Sequence, residues 1–597
     1  MRIRWLRLLV PVLALAGMSI TLASCGGGGG GGTSAESLVP SQFRAPTAPP
    51  DSAKKGGTLT VLASGDVDYI DPGATYYVFG YMVAYATQRP LFSYTPGNTT
   101  VAAPDLAAGD AQVSNGNKTI TVTLKSGIRF SPPVNRAVTS ADVKYSFERG
   151  LLPGVANGYE TLYFSALHGI KEAQAAASKD PTKAPNISGI TTPDDHTIVF
   201  QLDQPVAKQY VVGALSLPLS APVPEEYAKK YDAQNPSTYG LHQVGTGPYM
   251  VDSYSPGKEI KLVRNPNWDS STDSRPAYLD AINVEEGFSD TLSASKKILT
   301  GSDEVNGDFG LPPEGLKLAA TKYPDQLALA PGAGNRYIAL NTTKPPFNDI
   351  NVRKAVIANA DREALLATRG GALAGTVATH FLYPGQPGFD EAGGIKGPNL
   401  DYIQHPTGDP ALAASYMKKA GFKSGKCEGS ACNITMVGDD SPPGSDTAAV
   451  AKDQLGSLGF HVSLQSVTHD LMYTKFCNVP KNEPNVCPNV GWVADFHDPQ
   501  AVLDLTFNGE SIVSSNNSNW PLLDDKSINA AMDKAKLITD TNGRNQAWGK
   551  IDDEVMAQAP AIPWTWDNES NAESKDVAGV GDLWNTGVWD LSYTSLK

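Results

Sequence analysis

A strand–helix–strand pattern in the second half of the chain constrains the fold more than any other feature. Residues 433–437 and 460–467 have the character of strands, and residues 445–458 between them have the character of a helix. Two strands joined in this way pair in parallel through a right-handed crossover. Apolar residues at helical spacing also predict a helix over 349–367. The C-terminal half is therefore predicted to be α/β.

The first half of the chain has a different pattern of polar and apolar residues. Residues 118–124 and 196–202 alternate polar and apolar side chains, as half-buried strands do. Between them, Thr139 or Ser140 is placed to cap a helix that runs through Phe147. This half is predicted to be α+β with antiparallel strands.

The length of the chain adds a further constraint. A chain of 597 residues is too long for one hydrophobic core, so about two to four domains are expected. Because the two halves also differ in their predicted secondary structure, we expect a mixed α/β and α+β protein whose two lobes enclose a cleft.

The first 25 residues predict export and lipid attachment. Three arginines precede a mostly apolar run at residues 8–22, which is typical of a secretory signal. The run ends in a tetrapeptide that resembles a bacterial lipobox, which implies cleavage before Cys25 and a diacylglycerol on its sulfur. We therefore predict a lipoprotein signal peptide at residues 1–24. An uncleaved membrane anchor is the alternative, but the run is short for a span and contains Pro11.

Residues 25–55 predict a flexible tether. Seven glycines follow Cys25, and serine, alanine and proline dominate as far as Pro50. Such a segment cannot bury enough apolar surface to become ordered. About 30 flexible residues reach roughly 30 Å, which would let the folded body turn toward a membrane partner.

Composition and missing motifs exclude several classes of function. The 62 acidic and 48 basic residues give a net charge of −14, which argues against a nucleic-acid partner. The chain has no HExxH, GxSxG or GxxxxGK[ST] motif, and its glycine-rich turns lack the third glycine of a dinucleotide loop. No enzyme activity and no cofactor are predicted.

Asp66, Asp68 and Asp71 form the one carboxylate cluster worth weighing as a metal site. Calcium loops need oxygens at regular alternate positions, and Asp71 breaks that spacing. We predict no metal here and a solvated loop that turns the chain at the edge of the cleft.

Four cysteines remain beyond Cys25, and an even number in an exported chain favours two disulfides. Of the three possible pairings, the spacing favours Cys427 with Cys432 and Cys477 with Cys487. A zinc site of four thiolates is the alternative. It is disfavoured because the spacing does not match a zinc knuckle and an oxidising compartment consumes thiols.

The segment GWVADFHDP at residues 491–499 sets an acidic residue beside a tryptophan and a turn. Alone, it predicts a strand that runs into a turn, with Asp495 as a cap or turn former. Other landmarks accompany it in order: GTGPY at 245–249, LVRNP at 262–266, LN at 340–341, KPPFND at 344–349 and VR at 352–353. Together they resemble the extracytoplasmic solute-binding proteins of peptide ABC importers, the oligopeptide- and dipeptide-binding family (family 5). The resemblance runs from about residue 56 to the C-terminus.

This resemblance implies a periplasmic-binding-protein-like fold with an additional N-terminal subdomain and a ligand cleft between the lobes. Hinge crossings are expected near residues 332–334 and 564–568. The implied parts are lobe I at 56–79, 239–332 and 567–597, the subdomain of lobe I at 80–238, and lobe II at 333–566.

The resemblance also implies a ligand site. A peptide can be held regardless of its sequence only if its main chain is recognised and its charged ends are neutralised. Asp495 matches the aspartate that binds the α-ammonium in peptide-binding members, and Gly491 and Trp492 match the residues before it. Trp492 is therefore expected to line the pocket, and Phe496 stands where tyrosine is frequent. Weaker candidates for contacts from lobe I are Tyr76, Tyr77 and Val78.

One contact of the family does not carry over. Some relatives place an arginine shortly before the glycine–tryptophan pair, where this chain has Pro488, Asn489 and Val490. Recognition of a ligand carboxylate by that route is therefore not expected.

The sequence thus predicts a monomeric, lipid-anchored extracellular substrate-binding protein of an ABC importer. It would capture peptides by cleft closure and deliver them to the membrane permease. The same fold binding a metal chelate, an oligosaccharide or haem is the first alternative. An exported hydrolase, or a sensor or peptide holder without a transport role, are further alternatives.

Overall fold

The computed structural model describes residues 34–581 and 587–597. The predicted signal peptide, Cys25 and the glycine run lie outside the described residues. No helix within the described ranges combines the length and the apolar character needed to cross a membrane.

Strands and helices alternate along the described chain. The strands are β1 (Thr58–Leu62), β2 (Phe92–Thr95), β3 (Asn98–Pro104), β4 (Gln112–Ser114), β5 (Thr119–Thr123), β6 (Ile190–Asp194), β7 (Thr197–Gln201), β8 (Tyr249–Ser255), β9 (Glu259–Arg264), β10 (Ala281–Glu285), β11 (Glu304–Asn306), β12 (Leu327–Leu340), β13 (Gly375–Thr376), β14 (Asn433–Asp439), β15 (His461–Val467), β16 (Val486–Val493), β17 (Ala561–Ala572), β18 (Val577–Ala578) and β19 (Ser595–Leu596). The helices are α1 (Val78–Thr87), α2 (Ser140–Gly150), α3 (Glu160–Tyr163), α4 (Ile170–Lys179), α5 (Lys208–Ala214), α6 (Glu225–Asp232), α7 (Thr291–Thr300), α8 (Pro313–Lys322), α9 (Ile350–Asn359), α10 (Arg362–Ala367), α11 (Pro410–Lys419), α12 (Gly444–Ser457), α13 (His469–Leu471), α14 (Gln500–Phe507), α15 (Lys526–Lys536) and α16 (Thr541–Ala557).

Lobe I is built around a sheet with strand order β11-β1-β10-β9-β8. Beside it lie the hairpin β2-β3 and a second sheet with order β4-β5-β7-β6. Side chains of β1 and β5, such as Val61 and Ile120, share one hydrophobic core. β5 and β7 are antiparallel as predicted, with Ile120 opposite Phe200. The prediction of antiparallel strands is wrong for β1, which pairs in parallel with β10 and β11. The predicted cap of α2 is Thr139, whose backbone N–H donates to the Asp142 carboxylate at 2.8 Å.

Lobe II is built around a sheet with strand order β13-β17-β12-β16-β14-β15. β14 and β15 pair in parallel, with Met436 opposite Leu464, and α12 connects them. The predicted strand–helix–strand unit is therefore confirmed. A second hydrophobic core packs Met436 of β14 and Leu455 of α12 together.

The single helix predicted over residues 349–367 is wrong, because the segment forms two helices. The backbone of Ala360 is extended, which ends α9. Asp361 then caps α10, since its Oδ1 accepts a hydrogen bond from the Ala364 backbone N–H at 2.8 Å. Helical spacing persists across such a break, so spacing alone does not detect it.

β12 and β17 run through both lobes as an antiparallel pair. Leu327 and Leu329 at the start of β12 pack in lobe I, while Ile338 and Leu340 at its end pack in the core of lobe II. The register between the two strands shifts between Pro331 and Asn335. This irregular stretch of the sheet lies where the chain passes from one lobe to the other.

The described part of the predicted tether is packed on the folded body. Residues 35–38 and 41–43 form short 3-10 turns, and Val39 and Phe43 are buried in a core that includes Leu329. The Ala45 backbone N–H donates to the Leu329 carbonyl at 2.8 Å. Val39 and Phe43 are isolated apolar residues in a polar segment, so composition gives little sign of these contacts. The prediction of a flexible segment through residue 55 does not account for them.

Two disulfides lie in lobe II. The sulfurs of Cys427 and Cys432 are 2.05 Å apart, and those of Cys477 and Cys487 are 2.07 Å apart. These are the pairs that the spacing predicts. Cys477 ends a π-helical turn that begins at Met472, and Cys487 lies on β16. The second disulfide therefore ties this turn to the strand that leads to Asp495.

Candidate functional site

Asp495 lies where lobe II meets lobe I. It follows β16 by two residues, and only 8% of its surface is exposed. The Tyr76 hydroxyl donates a hydrogen bond to its Oδ2 at 3.0 Å, and the Tyr163 hydroxyl donates to the same oxygen. Both tyrosines belong to the lobe I side, so this carboxylate bridges the two lobes.

Burial dominates the electrostatics of Asp495. It raises the pKa of Asp495 to about 7, against the two tyrosine hydrogen bonds, which lower it. Asp495 has no Lys, Arg or His nitrogen within 4.0 Å among the described residues. A buried carboxylate without a cation is costly, so the site favours a ligand that brings a positive charge.

Trp492 joins the two cores, because its ring packs against side chains of both. Its indole N–H donates to the Ala501 carbonyl at 2.8 Å, and its ring centroid is 6.2 Å from that of Trp520. These contacts hold the segment between β16 and α14, which includes Asp495. Trp492 is partly exposed, so it can also contact a ligand.

Gly491 is required by close packing. A Cβ at this position would lie 2.4 Å from the Asn335 carbonyl oxygen and 3.1 Å from Arg336 Cγ. In the register of β16 with β12, Gly491 is opposite Arg336. The backbone N–H of Gly491 donates to the Tyr473 hydroxyl at 3.3 Å. A glycine therefore lets the Arg336 side chain lie across β16.

The three candidates from lobe I occupy different surroundings. Tyr76 reaches Asp495, Tyr77 is 63% exposed, and Val78 begins α1 and packs against the core of lobe I. The Asp68 carboxylate fixes this segment, because it accepts a hydrogen bond from the Tyr77 backbone N–H at 3.0 Å and another from the Tyr76 N–H. Of the three, Tyr76 is the one that the structure brings to Asp495.

The other acidic residues of this segment have protein partners. Asp71 forms a buried ion pair with Arg149 at 2.7 Å, and Asp66 accepts from the Tyr254 hydroxyl at 2.9 Å. Within the described ranges, no group of three or more His, Cys, Asp or Glu residues is placed to hold a metal ion.

Sequence reasoning missed Tyr163. It lies in the subdomain, 332 positions before Asp495, and its neighbours carry no motif. Phe496 shows the same long-range contact, because its ring centroid is 5.0 Å from that of Tyr163 and 5.1 Å from that of Tyr210. Phe496 is therefore part of the packing between the lobes.

A cavity of about 470 Å³ lies on the subdomain side of this interface. Tyr94 and Val212 contribute to its wall from lobe I, and His497 and Thr541 contribute from lobe II. Asp495 does not line it. The His497 backbone N–H donates to the Tyr94 hydroxyl at 3.2 Å, so the wall also bridges the lobes.

Comparison with known proteins decides the family. The family model of bacterial extracellular solute-binding proteins, family 5 Middle, matches residues 102–513. The chain belongs to this family. The resemblance that the motifs predict is confirmed, and the two-lobed fold is that of family 5.

Individual relatives agree with this family 5 assignment. Di/tripeptide-binding protein 1 of Pseudomonas aeruginosa (strain UCBPP-PA14) is 25% identical over 495 residues, which are 79% of this chain and 82% of the relative. The structure of clavulanic acid biosynthesis oligopeptide binding protein 2 superposes with a TM-score of 0.79 at 25% identity, covering 93% of this chain and 100% of that one. The structure of the ABC transporter-associated periplasmic binding protein DppA from Helicobacter pylori, in complex with peptide STSA, superposes with a TM-score of 0.70 at 19% identity. The match covers 91% of this chain and 98% of that one.

Proposed function

We propose that this family 5 protein captures peptides in the cleft between its lobes and delivers them to the permease of an ABC importer. The observation that carries the proposal is Asp495, a buried carboxylate that bridges the lobes and lacks a cation among the described residues. The α-ammonium of a peptide would supply that cation. The named relatives support a peptide ligand, since they bind di- and tripeptides or oligopeptides according to their names.

The hydrogen bonds between Asp495 and the two tyrosines explain how ligand binding would be coupled to closure of the lobes. An ammonium beside Asp495 would lower the pKa of Asp495 and restore its charge, which strengthens the hydrogen bonds from Tyr76 and Tyr163. Because these tyrosines lie in the other lobe, ligand binding favours closure. Gly491 and Trp492 would line the pocket beside the ligand, and Tyr77 and Val78 would border it from lobe I.

Closure requires a hinge, and we propose that it lies in the paired strands β12 and β17. The irregular register between Pro331 and Asn335 supports this location, since fewer ladder hydrogen bonds resist bending there. The moving parts would be lobe I at 56–79, 239–332 and 567–597 with its subdomain at 80–238, and lobe II at 333–566.

We also propose how the protein meets its permease. After removal of residues 1–24, lipid on Cys25 would hold the protein at the outer face of the cell membrane as a monomer. The lipid anchor would then keep the cleft close to the membrane.

Calorimetry with blocked and free peptides tests the ligand. The full-length protein, extracted in detergent, is first screened by native mass spectrometry against peptides of random sequence. The captured peptides are then titrated in free and N-acetylated forms. Free peptides should bind more than a hundredfold more tightly, because loss of one partner of a buried ion pair costs about 3 to 5 kcal/mol. Equal affinity for both forms would contradict the role of Asp495 and favour a solute without a peptide amino terminus.

The variant Asp495→Asn keeps the size of the side chain and removes its charge. It should lose affinity for free peptides and stop distinguishing acetylated ones. The matched control is Asp453→Asn on the exposed face of α12, which should bind as the wild-type protein does.

A further inference from the structure

The Phe496 ring of lobe II is inserted into a socket on the subdomain. The wall of this socket consists of Tyr163, Tyr210 and Gly213. The Phe496 ring packs edge-on against the two tyrosines, with angles of 73° and 80° between the ring planes. Only 3% of the Phe496 surface is exposed. The ring is therefore enclosed by residues from the opposite side of the interface.

Gly213 provides the space that the ring occupies. A Cβ at Gly213 would lie 2.6 Å from Phe496 Cδ2 and 3.1 Å from Phe496 Cγ. Gly213 belongs to α5, and its φ lies outside the left-handed region, so its backbone conformation does not require glycine. Glycine also weakens a helix relative to alanine. The close approach of Phe496 is thus what requires a glycine at this position.

Lobe II fixes the turn that carries Phe496. Asp498, two positions later, forms an ion pair with Arg544 of α16 at 2.7 Å, and neither side chain is exposed. The Arg544 guanidinium also faces the Tyr210 ring of the subdomain, 5.7 Å from its centroid. Because the turn is held in this way, a larger side chain at Gly213 would push the subdomain and lobe II apart.

Neutral polar contacts surround the socket. The His497 backbone N–H donates to the Tyr94 hydroxyl at 3.2 Å, and the Thr541 hydroxyl donates to Gln209 Oε1 at 3.0 Å. Each of these hydrogen bonds joins a group of lobe II to a group of the subdomain, so it forms without a ligand. Asp495 differs, because we propose that a ligand supplies its counterion.

Contacts of this kind affect binding through the population of closed protein. The apparent dissociation constant of a ligand equals its intrinsic value divided by the fraction of protein in the binding-competent state. A contact that forms in the closed protein without a ligand raises this fraction for every ligand alike. It also slows release, because opening must withdraw the Phe496 ring from its socket.

Building on the proposed function, we propose that Phe496 and Gly213 are positioning residues that close the cleft without a ligand and set the rate of ligand release. The contact between Phe496 and its socket is the closing contact. Its effect is independent of the charge that a ligand brings to Asp495. Phe496 and Gly213 therefore control how long a ligand stays bound, whereas Asp495 selects which ligands bind.

Single-molecule fluorescence energy transfer on the full-length protein without a ligand tests the closing contact. Dyes are attached through non-canonical residues at two exposed positions, Gln174 of the subdomain and Lys418 of lobe II. Gly213→Ala should deplete the population that has the dye separation of the closed structure, because its Cβ meets the Phe496 ring. The matched control is Gly456→Ala in α12, where a Cβ meets no atom within 4 Å, and it should leave this population unchanged. Identical distributions for the wild-type protein and Gly213→Ala would overturn the proposal.

A second substitution shows whether the two residues act together. Phe496→Ala removes the ring and should deplete the same population. In this background Gly213→Ala should cause little further change, because its Cβ no longer meets Cδ2 and Cγ of the ring. Equal effects of Gly213→Ala with and without the ring would overturn the proposal. Thermal unfolding checks that the variants fold. If Gly213→Ala does not fold, Phe496→Ala decides, and an unchanged closed population in that variant would overturn the proposal.

Release of bound peptides gives an independent measurement. Peptides of random sequence are captured as for native mass spectrometry, and release of their free and N-acetylated forms is followed by stopped-flow with the same dyes. Gly213→Ala should speed release about five- to a hundredfold, in line with the usual cost of overpacking. The factor should be the same for both forms. An effect confined to the free form would overturn the proposal, since it would place the action at Asp495.

These outcomes separate the closing contact from the role of Asp495. If acetylation does not weaken binding but Gly213→Ala still depletes the closed population, the role of Asp495 is wrong and the closing contact stands. If acetylation weakens binding and Gly213→Ala changes neither the population nor the release, Asp495 keeps its role and the closing contact is wrong. The measurement without a ligand decides even if no peptide binds.

Discussion

Tyr163 of the subdomain donates a hydrogen bond to Asp495 of lobe II. The two residues are 332 positions apart, and the hydrogen bond crosses the interface between the lobes. Tyr76 donates to the same carboxylate oxygen from the segment before α1. The closed arrangement of the lobes is thus coupled directly to the charge of the residue that we propose to bind the ligand.

Removing the Tyr163 hydroxyl should weaken ligand binding. Hydrogen bonds to charged groups contribute about 1.5 to 3 kcal/mol, so Tyr163→Phe should lose roughly ten- to a hundredfold in peptide affinity. Calorimetry with a captured peptide measures the loss. The control is Tyr402→Phe, since Tyr402 donates to the Met556 carbonyl at 2.7 Å within lobe II. That variant should lose stability without a change in affinity, and equal losses of affinity in both variants would contradict the prediction.

Stability without ligand should fall as the pH rises through the range in which Asp495 titrates. Burial raises the pKa of Asp495 from 3.8 to about 7, so folding takes up a proton at this site between these values. This difference corresponds to about 4 kcal/mol at most. Urea unfolding should therefore show that the free energy of unfolding of the wild-type protein falls, relative to that of Asp495→Asn, as the pH rises from about 4 to about 7. If the unfolding free energies of the two proteins changed with pH in parallel, this prediction would be contradicted.

The disulfide between Cys477 and Cys487 should support ligand binding, whereas the other should not. Loss of either closed loop lowers stability by about 2 to 3 kcal/mol in the entropic model. Replacing Cys477 and Cys487 with alanine also frees the turn that carries Tyr473, whose hydroxyl accepts from the Gly491 N–H. Affinity should then fall, while replacement of Cys427 and Cys432 should leave it unchanged. Peptide mapping without reduction checks both pairs, and four free thiols in the exported protein would contradict them.

A methyl group at Gly491 should disturb the site. Its Cβ would lie 2.4 Å from the Asn335 carbonyl oxygen, so β16 must shift. Overpacking of this kind costs about 1 to 3 kcal/mol, and we expect a loss of both stability and affinity in Gly491→Ala. The matched control is Gly456→Ala in α12, where a Cβ meets no atom within 4 Å. That variant should gain up to about 1 kcal/mol of stability. Thermal unfolding and calorimetry measure both, and an unchanged Gly491→Ala protein would contradict the prediction.

Cys25 should be required for membrane attachment. Cys25→Ala should release the protein or leave an unprocessed precursor, while ligand binding persists because the folded body is unchanged. The control is Ser24→Ala, which keeps a small residue before Cys25 and should remain anchored. Membrane fractionation and mass spectrometry of the N-terminus provide the measurement. An unmodified N-terminus beyond Cys25 in membrane-bound protein would contradict lipid attachment.

Much of the local structure could be predicted because its causes are local. The β14–α12–β15 unit follows from hydrophobic patterning over about 35 residues, and the cap of α2 follows from Thr139 and Asp142. The disulfides follow from cysteine spacing, and Asp495 follows from a motif in which its neighbours are adjacent in sequence. The break at Ala360 was not predicted, because a helix that resumes keeps the same periodicity.

The sequence by itself thus determined the fold class and the family, and it singled out Asp495 as the residue that we propose to bind an ammonium group. Tertiary structure alone decided which groups surround that carboxylate. Tyr76 and Tyr163 reach Asp495 from 419 and 332 positions earlier in the chain. Burial also raises the pKa of Asp495, and burial is a property of packed lobes rather than of neighbouring residues. The charge of a residue and the motif around it can be read from the sequence. The free-energy cost of burying that charge depends on the groups that the folded lobes place around it.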